Sequence, residues 1–258
     1  MNTIFALAGV AIKELYRRKD FYVLFIITIL ICLVMASVNI FNDAKIVRYL
    51  KEISLLLIWI SSLVIAITTT ARQIPAEREN RTLLPLLAKP LTRMQLILGK
   101  FLGCWIACGL TLLCFYIFFG ALAASREHQL PLLNYFQAAT LHWFMLGVVV
   151  ALSLFGSLVF AAPSSNSTIC FVFVAGILLV GRHLNQVAVT LAEPGRSITY
   201  AIYYAIPHLE LFDVRDLIIH NWPLMAWKYF GLAILYALAY MAALLIAACL
   251  VFRRKAVN

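Results

Sequence analysis

Charged side chains of alternating sign stand close together in the block PAERENRTLLPLLAKPLTRMQLILGK, which runs from Pro75 to Lys100. Carboxylates and guanidinium groups at this spacing can form charge-assisted hydrogen bonds with a partner surface. Acidic residues early and leucines later are typical of a short amphipathic helix, which the Lys89-Pro90 step would end. Thr92 can cap a second helix that continues into the next apolar run. Two interpretations of this charged block are open. It is either a surface at the membrane face on which a partner docks, or a solvated connector whose leucines contact the lipid interface.

Two further groups of residues could bind a phosphate or a metal ion. Gly99-Lys100 does not complete a phosphate-binding loop, because the earlier glycine and the following Ser or Thr of that motif are both missing. Cys104 and Cys108 would share one helix face, but no His or carboxylate accompanies them at ligand spacing. We therefore expect no P-loop and no metal site, and we interpret the six cysteines as small packing residues.

Carboxylates cluster again near the end of the chain, at Glu210, Asp213 and Asp216, beside Arg215. If this stretch is helical, Asp213 and Asp216 lie on one face. A hydrolase or transferase would need further catalytic partners, and none stands at a suitable spacing. We favour an exposed helix with paired charges over an active site.

The composition indicates the surroundings in which these residues work. Of 258 residues, 64% are hydrophobic and 12% are charged, whereas soluble domains are about half apolar and about a quarter charged. We therefore expect the chain to be surrounded by the lipid bilayer rather than by water. The net charge of +10 is explained by basic residues that flank the apolar runs, rather than by nucleic-acid binding. The N-terminal stretch lacks the charge order and the cleavage site of a signal peptide.

Six apolar runs are long enough to cross the hydrocarbon, and they predict an all-α polytopic membrane protein with one transmembrane domain over residues 1–258. The predicted spans are about 21–41, 53–71, 101–124, 138–162, a fifth that begins near Thr168, and 223–252. The fourth and fifth spans are separated by the short uncharged loop PSSNS. His142 and His183 are placed toward membrane edges, where their side chains would reach the interface.

Residues 1–20 place Phe5, Ala8 or Gly9, Ile12 and Tyr16 at helical spacing, with basic residues toward another side. This pattern predicts an amphipathic helix in the interface plane; the alternative is the polar start of the first span. Lys and Arg are more numerous on the side that holds both termini. The positive-inside rule therefore predicts cytoplasmic termini, a cytoplasmic charged block, and an outer location for residues 193–222.

The predicted outer stretch reads EPGRSITYAIYYAIPHLELFDVRDLIIHNWP. It is too hydrophobic for a solvent-exposed loop, and its apolar runs are too interrupted for a membrane-spanning helix. Short re-entrant helices buried against protein fit this pattern best, because irregular backbone at membrane depth needs protein partners. The alternative is an interfacial helix pair with its tyrosines at the headgroups.

The charged block resembles the cytoplasmic coupling segment of ABC-2-type permeases, the membrane subunits of ABC exporters. The matching positions are Glu77, Glu79, Thr82, Leu83, Leu87, Pro90, Arg93, Gly99 and Lys100, while Arg81 stands where glycine is common. A second matching stretch is AIPHLELFDVRDLIIHN, from Ala205 to Asn221. The six-span layout and the N-terminal helix match as well.

The resemblance implies a permease that pairs with a second copy or a homologous permease, above two cytoplasmic ABC ATPase subunits that bind ATP and Mg. The chain itself would bind no cofactor and would not be an enzyme. The resemblance implies a coupling segment over residues 75–93, with these coupling residues: Glu77, Arg78, Glu79, Arg81, Thr82, Leu83, Leu84, Leu87, Pro90 and Arg93. It implies an outer gate with Tyr203, Tyr204, Pro207, Leu209 and Phe212, and an elbow helix with Lys13, Arg17 and Arg18.

We therefore expect a permease subunit of an ATP-driven exporter in a bacterial-type cytoplasmic membrane, surrounded by lipid and able to join additional periplasmic or membrane subunits. Two other classes stay open. One is a membrane-embedded lipid-modifying enzyme that uses residues 210–216, and the other is a non-transporting scaffold or regulator of such a complex. The sequence does not indicate the cargo.

Overall fold

A computed structural model of the protein describes residues 2–17, 19–37, 43–79, 92–127, 131–160 and 162–254. These residues are almost entirely helical and contain no β-strand, which confirms the all-α fold class. The helices are α1 (Asn2–Tyr16), α2 (Lys19–Ser37), α3 (Asp43–Ala71), α4 (Pro75–Glu79), α5 (Arg93–Glu127), α6 (Leu132–Val159), α7 (Pro163–Thr190), α8 (Gly195–Ala205), α9 (Arg215–Ile219) and α10 (Trp227–Arg254). A 3₁₀ turn, Leu209–Phe212, precedes α9.

Five stretches of the described helices are long and apolar enough to cross a membrane. They are Val47–Glu79, Arg93–Ser125, Leu132–Val159, Pro163–Gly181 and Trp227–Arg254. The helix α2 occupies the described part of the first predicted span. Its count as a sixth crossing therefore stays a prediction.

Helix boundaries differ from the predicted spans where polar residues continue the helix. The helix α3 begins at Asp43, well before the predicted start of the second span, and α5 already begins at Arg93. The predicted loop PSSNS was wrong, because these residues form the first turns of α7. Pro163 begins that helix, where a missing backbone N–H costs no hydrogen bond.

The helix α6 lies at the centre of the bundle and α10 at its edge. In the most apolar window of α6, 72% is buried, against 17% in α10. One side of α10 packs along α6, and the other exposes Leu232, Leu235 and Leu238. A helix with such an exposed apolar side needs lipid or another protein against it.

A reciprocal pair of tryptophans joins α5 to α6. The indole N–H of Trp105 donates to the carbonyl oxygen of Trp143 at 3.0 Å, and the indole N–H of Trp143 donates to that of Trp105 at 3.1 Å. The two rings stack with their centroids 4.7 Å apart. Gly109 and Gly147 follow the tryptophans by about one helical turn and leave space for the rings. We call these four residues the tryptophan clasp.

Small residues also set the contact between α1 and α5. A Cβ atom added at Gly99 would lie 2.7 Å from Cβ of Leu7, and one added at Gly103 would lie 2.6 Å from Cβ of Ala11. Leu7, Ala8 and Ala11 are the buried face of α1. Glycine at both positions lets the helices approach closely, as small residues do between membrane helices.

The residues of the predicted apolar face of α1 differ in burial, and the position of this helix in the interface plane stays a prediction. Phe5 is 60% exposed, whereas Ala8 is buried as part of the face against α5. The position of the glycines on α5, rather than side-chain size on α1, decides which face is buried. Lys13 and Arg17 are exposed, and Arg18 lies outside the described residues.

Replacing Gly103 with valine should release α1 from α5, because the new side chain meets Ala11 and the carbonyl oxygen of Ala8. Overpacking of this kind costs about 1–3 kcal/mol, so amide hydrogen exchange in α1 should rise roughly tenfold. The control is Gly9→Val, because nothing lies within 4 Å of a Cβ at Gly9. Equal exchange in the two variants would contradict this packing.

Candidate functional sites at the two ends of the bundle

An ion pair with little solvent exposure holds the start of the charged block against α5. Oε1 of Glu77 on α4 lies 2.6 Å from Nζ of Lys100, and the two side chains are 14% and 4% exposed. Pro75 begins α4 and Glu77 stands in its first turn, both favourable for a helix N-terminus. We call the end of the bundle that holds this pair the terminal face.

The helix α5 begins with a capping box. The backbone N–H of Thr92 donates to Oε1 of Gln95 at 3.0 Å, and the N–H of Gln95 donates to Oγ1 of Thr92 at 3.2 Å. The prediction that Thr92 caps this helix is confirmed. The two bonds satisfy amides that the first turn of a helix leaves without partners.

Arg93 follows the cap and reaches the end of α10. Its Nη1 donates to the carbonyl oxygen of Phe252 at 2.7 Å and to that of Arg253 at 3.1 Å. The guanidinium carbon lies 5.4 Å from the centroid of the Phe252 ring. Carbonyls in the last turn of a helix lack intrahelical partners and form the negative end of its dipole, so a cation is stabilised there.

The residues predicted to couple to a partner are therefore divided. The side chain of Glu77 is turned into the bundle, Arg78 is half-buried, and Glu79 is exposed. Six predicted coupling residues lie outside the described residues: Arg81, Thr82, Leu83, Leu84, Leu87 and Pro90.

At the opposite end, residues 206–226 form a largely irregular segment between α8 and α10, interrupted by the 3₁₀ turn and α9. We call it the irregular segment. Nζ of Lys51, a side chain that is fully buried on α3, donates to the carbonyl oxygen of Ile218 at 3.2 Å and to Oδ1 of Asn221 at 3.0 Å. Asn221 has a φ of 52°, a conformation that asparagine tolerates.

Two amides on α6 hold the end of the same segment. Nδ2 of Asn134 donates to the carbonyl oxygen of Trp222 at 2.8 Å. Gln137 bonds Met225 twice, with its Nε2 donating to the carbonyl oxygen at 3.0 Å and its Oε1 accepting from the N–H at 3.1 Å. Span side chains thus supply the partners that irregular backbone requires in a bundle of this kind.

An ion pair of the irregular segment closes a small hollow between the spans. Nε and Nη2 of Arg215 donate to the two carboxylate oxygens of Asp213 at 2.7 and 2.8 Å, and the guanidinium lies 5.0 Å from the centroid of the Trp59 ring. Burial by itself lowers the pKa of Arg215, but the hydrogen bonds and charge of Asp213 raise it, and the net direction is upward. The hollow is also lined by Tyr116 and His142.

His142 is buried, so the prediction that its side chain reaches the interface was wrong. It is 4% exposed, and its Nε2 lies 2.8 Å from Oγ of Ser62 in a hydrogen bond. The ring of Tyr116 packs edge-on against it. A buried polar group of this kind is stable because it has a hydrogen-bond partner. His183 is exposed.

The predicted exposed helix with paired charges was half right. Asp213 and Arg215 are paired, but their side chains are only 21% and 23% exposed. Asp213 follows the 3₁₀ turn and lies outside α9, whereas Asp216 lies in its first turn, so the two carboxylates do not share one helix. The two hydrogen bonds between Arg215 and Asp213 make this partial burial tolerable.

The residues predicted for an outer gate also differ in burial. Leu209 and Phe212 are 1% and 2% exposed, whereas Tyr204 is 73% exposed. Pro207 is buried and Tyr203 is half-buried. The expectation that this whole stretch is buried against protein was wrong for α8, which has no buried residue.

Sequence reasoning did not find the residues that hold the irregular segment, namely Lys51, Trp59, Asn134 and Gln137. Lys51 and both amides lie just outside the predicted spans, which begin at positions 53 and 138. A usable signal was present, because polar side chains within or beside apolar runs need partners in a membrane protein.

Replacing Lys51 with methionine should loosen the irregular segment, because it removes the ammonium that bonds Ile218 and Asn221. Hydrogen bonds to charged groups contribute about 1.5–3 kcal/mol, so amide exchange over residues 215–222 should rise roughly tenfold or more. The control is Arg48→Met, which removes an exposed charge from the same helix. Unchanged exchange in Lys51→Met would show that this lysine does not hold the segment.

Comparison with known proteins places the chain in a family. The family model described as ABC-2 family transporter protein matches residues 26–257. A comparison with curated proteins found no match. Because the family match covers most of the chain and the structure contains several helices fit to cross a membrane, the protein belongs to the ABC-2 transporter family and is a multi-pass membrane protein.

Proposed function

We propose that this protein is the permease subunit of an ATP-driven ABC exporter, with ATP and Mg bound on a separate cytoplasmic ATPase. Membership of the ABC-2 family supports the ATPase partner. The observation that carries the proposal is that both ends of the 75–93 segment are anchored to the bundle, by Glu77–Lys100 and by Arg93 on α10. A displacement of α4, or of the first turn of α5, is therefore passed to the bundle.

The exposed Glu79 is the residue through which a partner first engages this segment. A displacement of α4 moves α3, which precedes it in the chain, and moves α5 through the buried ion pair. The tryptophan clasp then moves α6 with α5. When ATP closes the partner ATPase, these linked movements shift the helix bundle from one arrangement to another, as in gating motions of other proteins.

The proposed topology has α2 as a sixth span, both termini in the cytoplasm and the irregular segment outside, in a bacterial-type cytoplasmic membrane. The exposed apolar sides of α2 and α10 provide surfaces for lipid and for a second permease copy or homologue. A lipid-modifying enzyme is less well supported, because Asp213 is paired with Arg215 and Glu210 lies 3.2 Å from Nδ1 of His208. These carboxylates already have intramolecular partners.

The test is co-purification with candidate ABC ATPases, using a photo-crosslinking amino acid at position 79. We expect a crosslink to the ATPase and a several-fold loss of permease-dependent ATPase activity in Glu79→Lys, because an exposed ion pair contributes up to about 1 kcal/mol. The control is Glu14→Lys, an exposed carboxylate on α1. Absence of the crosslink, with unchanged ATPase activity in Glu79→Lys, would contradict the coupling role.

A further inference from the structure

Arg93 belongs to the charged block, yet its side chain binds this protein's own last helix. Its Nη1 contacts two carbonyl oxygens in the last turn of α10, those of Phe252 and Arg253, at 2.7 and 3.1 Å. A guanidinium group stays charged at all physiological pH values and donates in a rigid plane. It therefore complements the negative end of α10 in a defined geometry.

Both ends of this contact are fixed by their surroundings. The capping box of Thr92 and Gln95 sets the backbone at Arg93, because it orders the first turn of α5. Phe252 is 0% exposed and is part of the bundle core, so the carbonyls beside it have little freedom to move. The Phe252 ring also lies beneath the guanidinium. Because both groups are ordered, a displacement of the first turn of α5 also displaces the last turn of α10.

The helix α10 has no covalent connection near the charged block. The helix α3 ends shortly before the charged block, and α5 begins within it at Arg93, whereas α10 lies far from it in the chain and packs mainly along α6. Motion of α4 reaches α3 through the chain and α5 through the contact of Glu77 with Lys100. The same motion reaches the end of α10 through a non-covalent contact. The hydrogen bonds from Arg93, in the first turn of α5, provide such a contact.

We propose that Arg93 is a positioning residue that ties the C-terminal end of α10 to the charged block, so that α3, α5 and α10 move together at the terminal face. This role rests on the proposed coupling function, and it assigns Arg93 to the protein's own last helix rather than to the ATPase surface. The block then acts on three helices, including one that lies at the edge of the bundle.

The tie itself is tested without any ATPase. Spin labels at positions 94 and 254, both exposed, are introduced into a variant without its six native cysteines, in lipid nanodiscs. Arg93→Gln should broaden the distance distribution between the labels and raise amide exchange in the last turn of α10 roughly tenfold. Arg93→Lys, which keeps the charge, should recover part of both effects. The control with a neighbouring change is Gln95→Glu, which keeps an acceptor for the capping box.

Coupling is tested in the complex with the ATPase, with and without ATP and vanadate. A label at the exposed position 165, in the first turn of α7, serves as the reference for labels at 94 on α5 and 254 on α10. In the wild-type sequence background both distances should shift when the nucleotide is trapped. In Arg93→Gln the shift at 94 should remain and the shift at 254 should be lost, with recovery in Arg93→Lys.

The outcomes separate the two proposals. An unchanged 94–254 distribution in Arg93→Gln overturns the tie, and a full nucleotide-dependent shift at 254 in that variant overturns its coupling role. If the wild-type sequence does not bind an ATPase, the proposed function fails, while the nanodisc measurement still decides whether Arg93 holds α10.

Discussion

Replacing Gly147 with valine is expected to break the tryptophan clasp and to separate α5 from α6. A Cβ at this position would lie 2.8 Å from Nε1 of Trp105 and 2.6 Å from Sδ of Met241. Overpacking costs about 1–3 kcal/mol, and each hydrogen bond lost from the clasp costs roughly 1 kcal/mol more. The purified protein should lose about 3–5 kcal/mol of stability by this sum.

The measurement is the thermal unfolding midpoint in detergent, together with the near-UV circular dichroism of the stacked indoles of Trp105 and Trp143. Gly109→Val should have the same effect, because its side chain meets the ring of Trp143. Since both changes disrupt one contact, their effects should add incompletely. The matched control is Gly176→Val, since nothing lies within 4 Å of a Cβ there. A Gly147→Val protein with the indole signal and midpoint of the control would show that the clasp does not hold the helices.

Replacing Lys100 with methionine is expected to destabilise the terminal face, because it removes the ammonium that lies 2.6 Å from Glu77. Removing Lys100 takes from Glu77 a charge-assisted contact, and losing a hydrogen bond to a charged group costs about 1.5–3 kcal/mol. The double change Glu77→Leu with Lys100→Met should recover most of this loss, because well-packed apolar groups replace buried pairs at little cost. Thermal unfolding in detergent measures both effects.

The same two variants separate stability from coupling. If the ion pair transmits motion from α4 to α5, the double variant should stay folded but should not stimulate a partner ATPase. The control is Lys228→Met, which removes an exposed lysine from the start of α10. A double variant as unstable as Lys100→Met alone would mean that the pair's geometry, rather than the loss of the counter-charge to Glu77, determines stability. A stable double variant with full ATPase stimulation would remove the ion pair from the coupling route.

Local pattern was sufficient for the helical class and for the start of α5. The apolar runs lie in the helices found, and Thr92 caps α5 as its spacing with Gln95 indicates. These features depend on neighbouring residues, because hydrophobic length and capping are set within a few turns of one helix. The same reasoning began α7 too late, after PSSNS, since proline and serine are common both in loops and in first helical turns.

Tertiary structure decided which residues meet. The sequence by itself determined that this chain is an all-helical membrane protein with one conspicuous charged block, because composition and period are properties of the chain alone. Only the packed bundle paired Glu77 with Lys100, brought Arg93 to α10 and buried Lys51 against the irregular segment. Such pairings depend on how closely helices approach and at which register, and this is set jointly by glycines and large side chains on different helices.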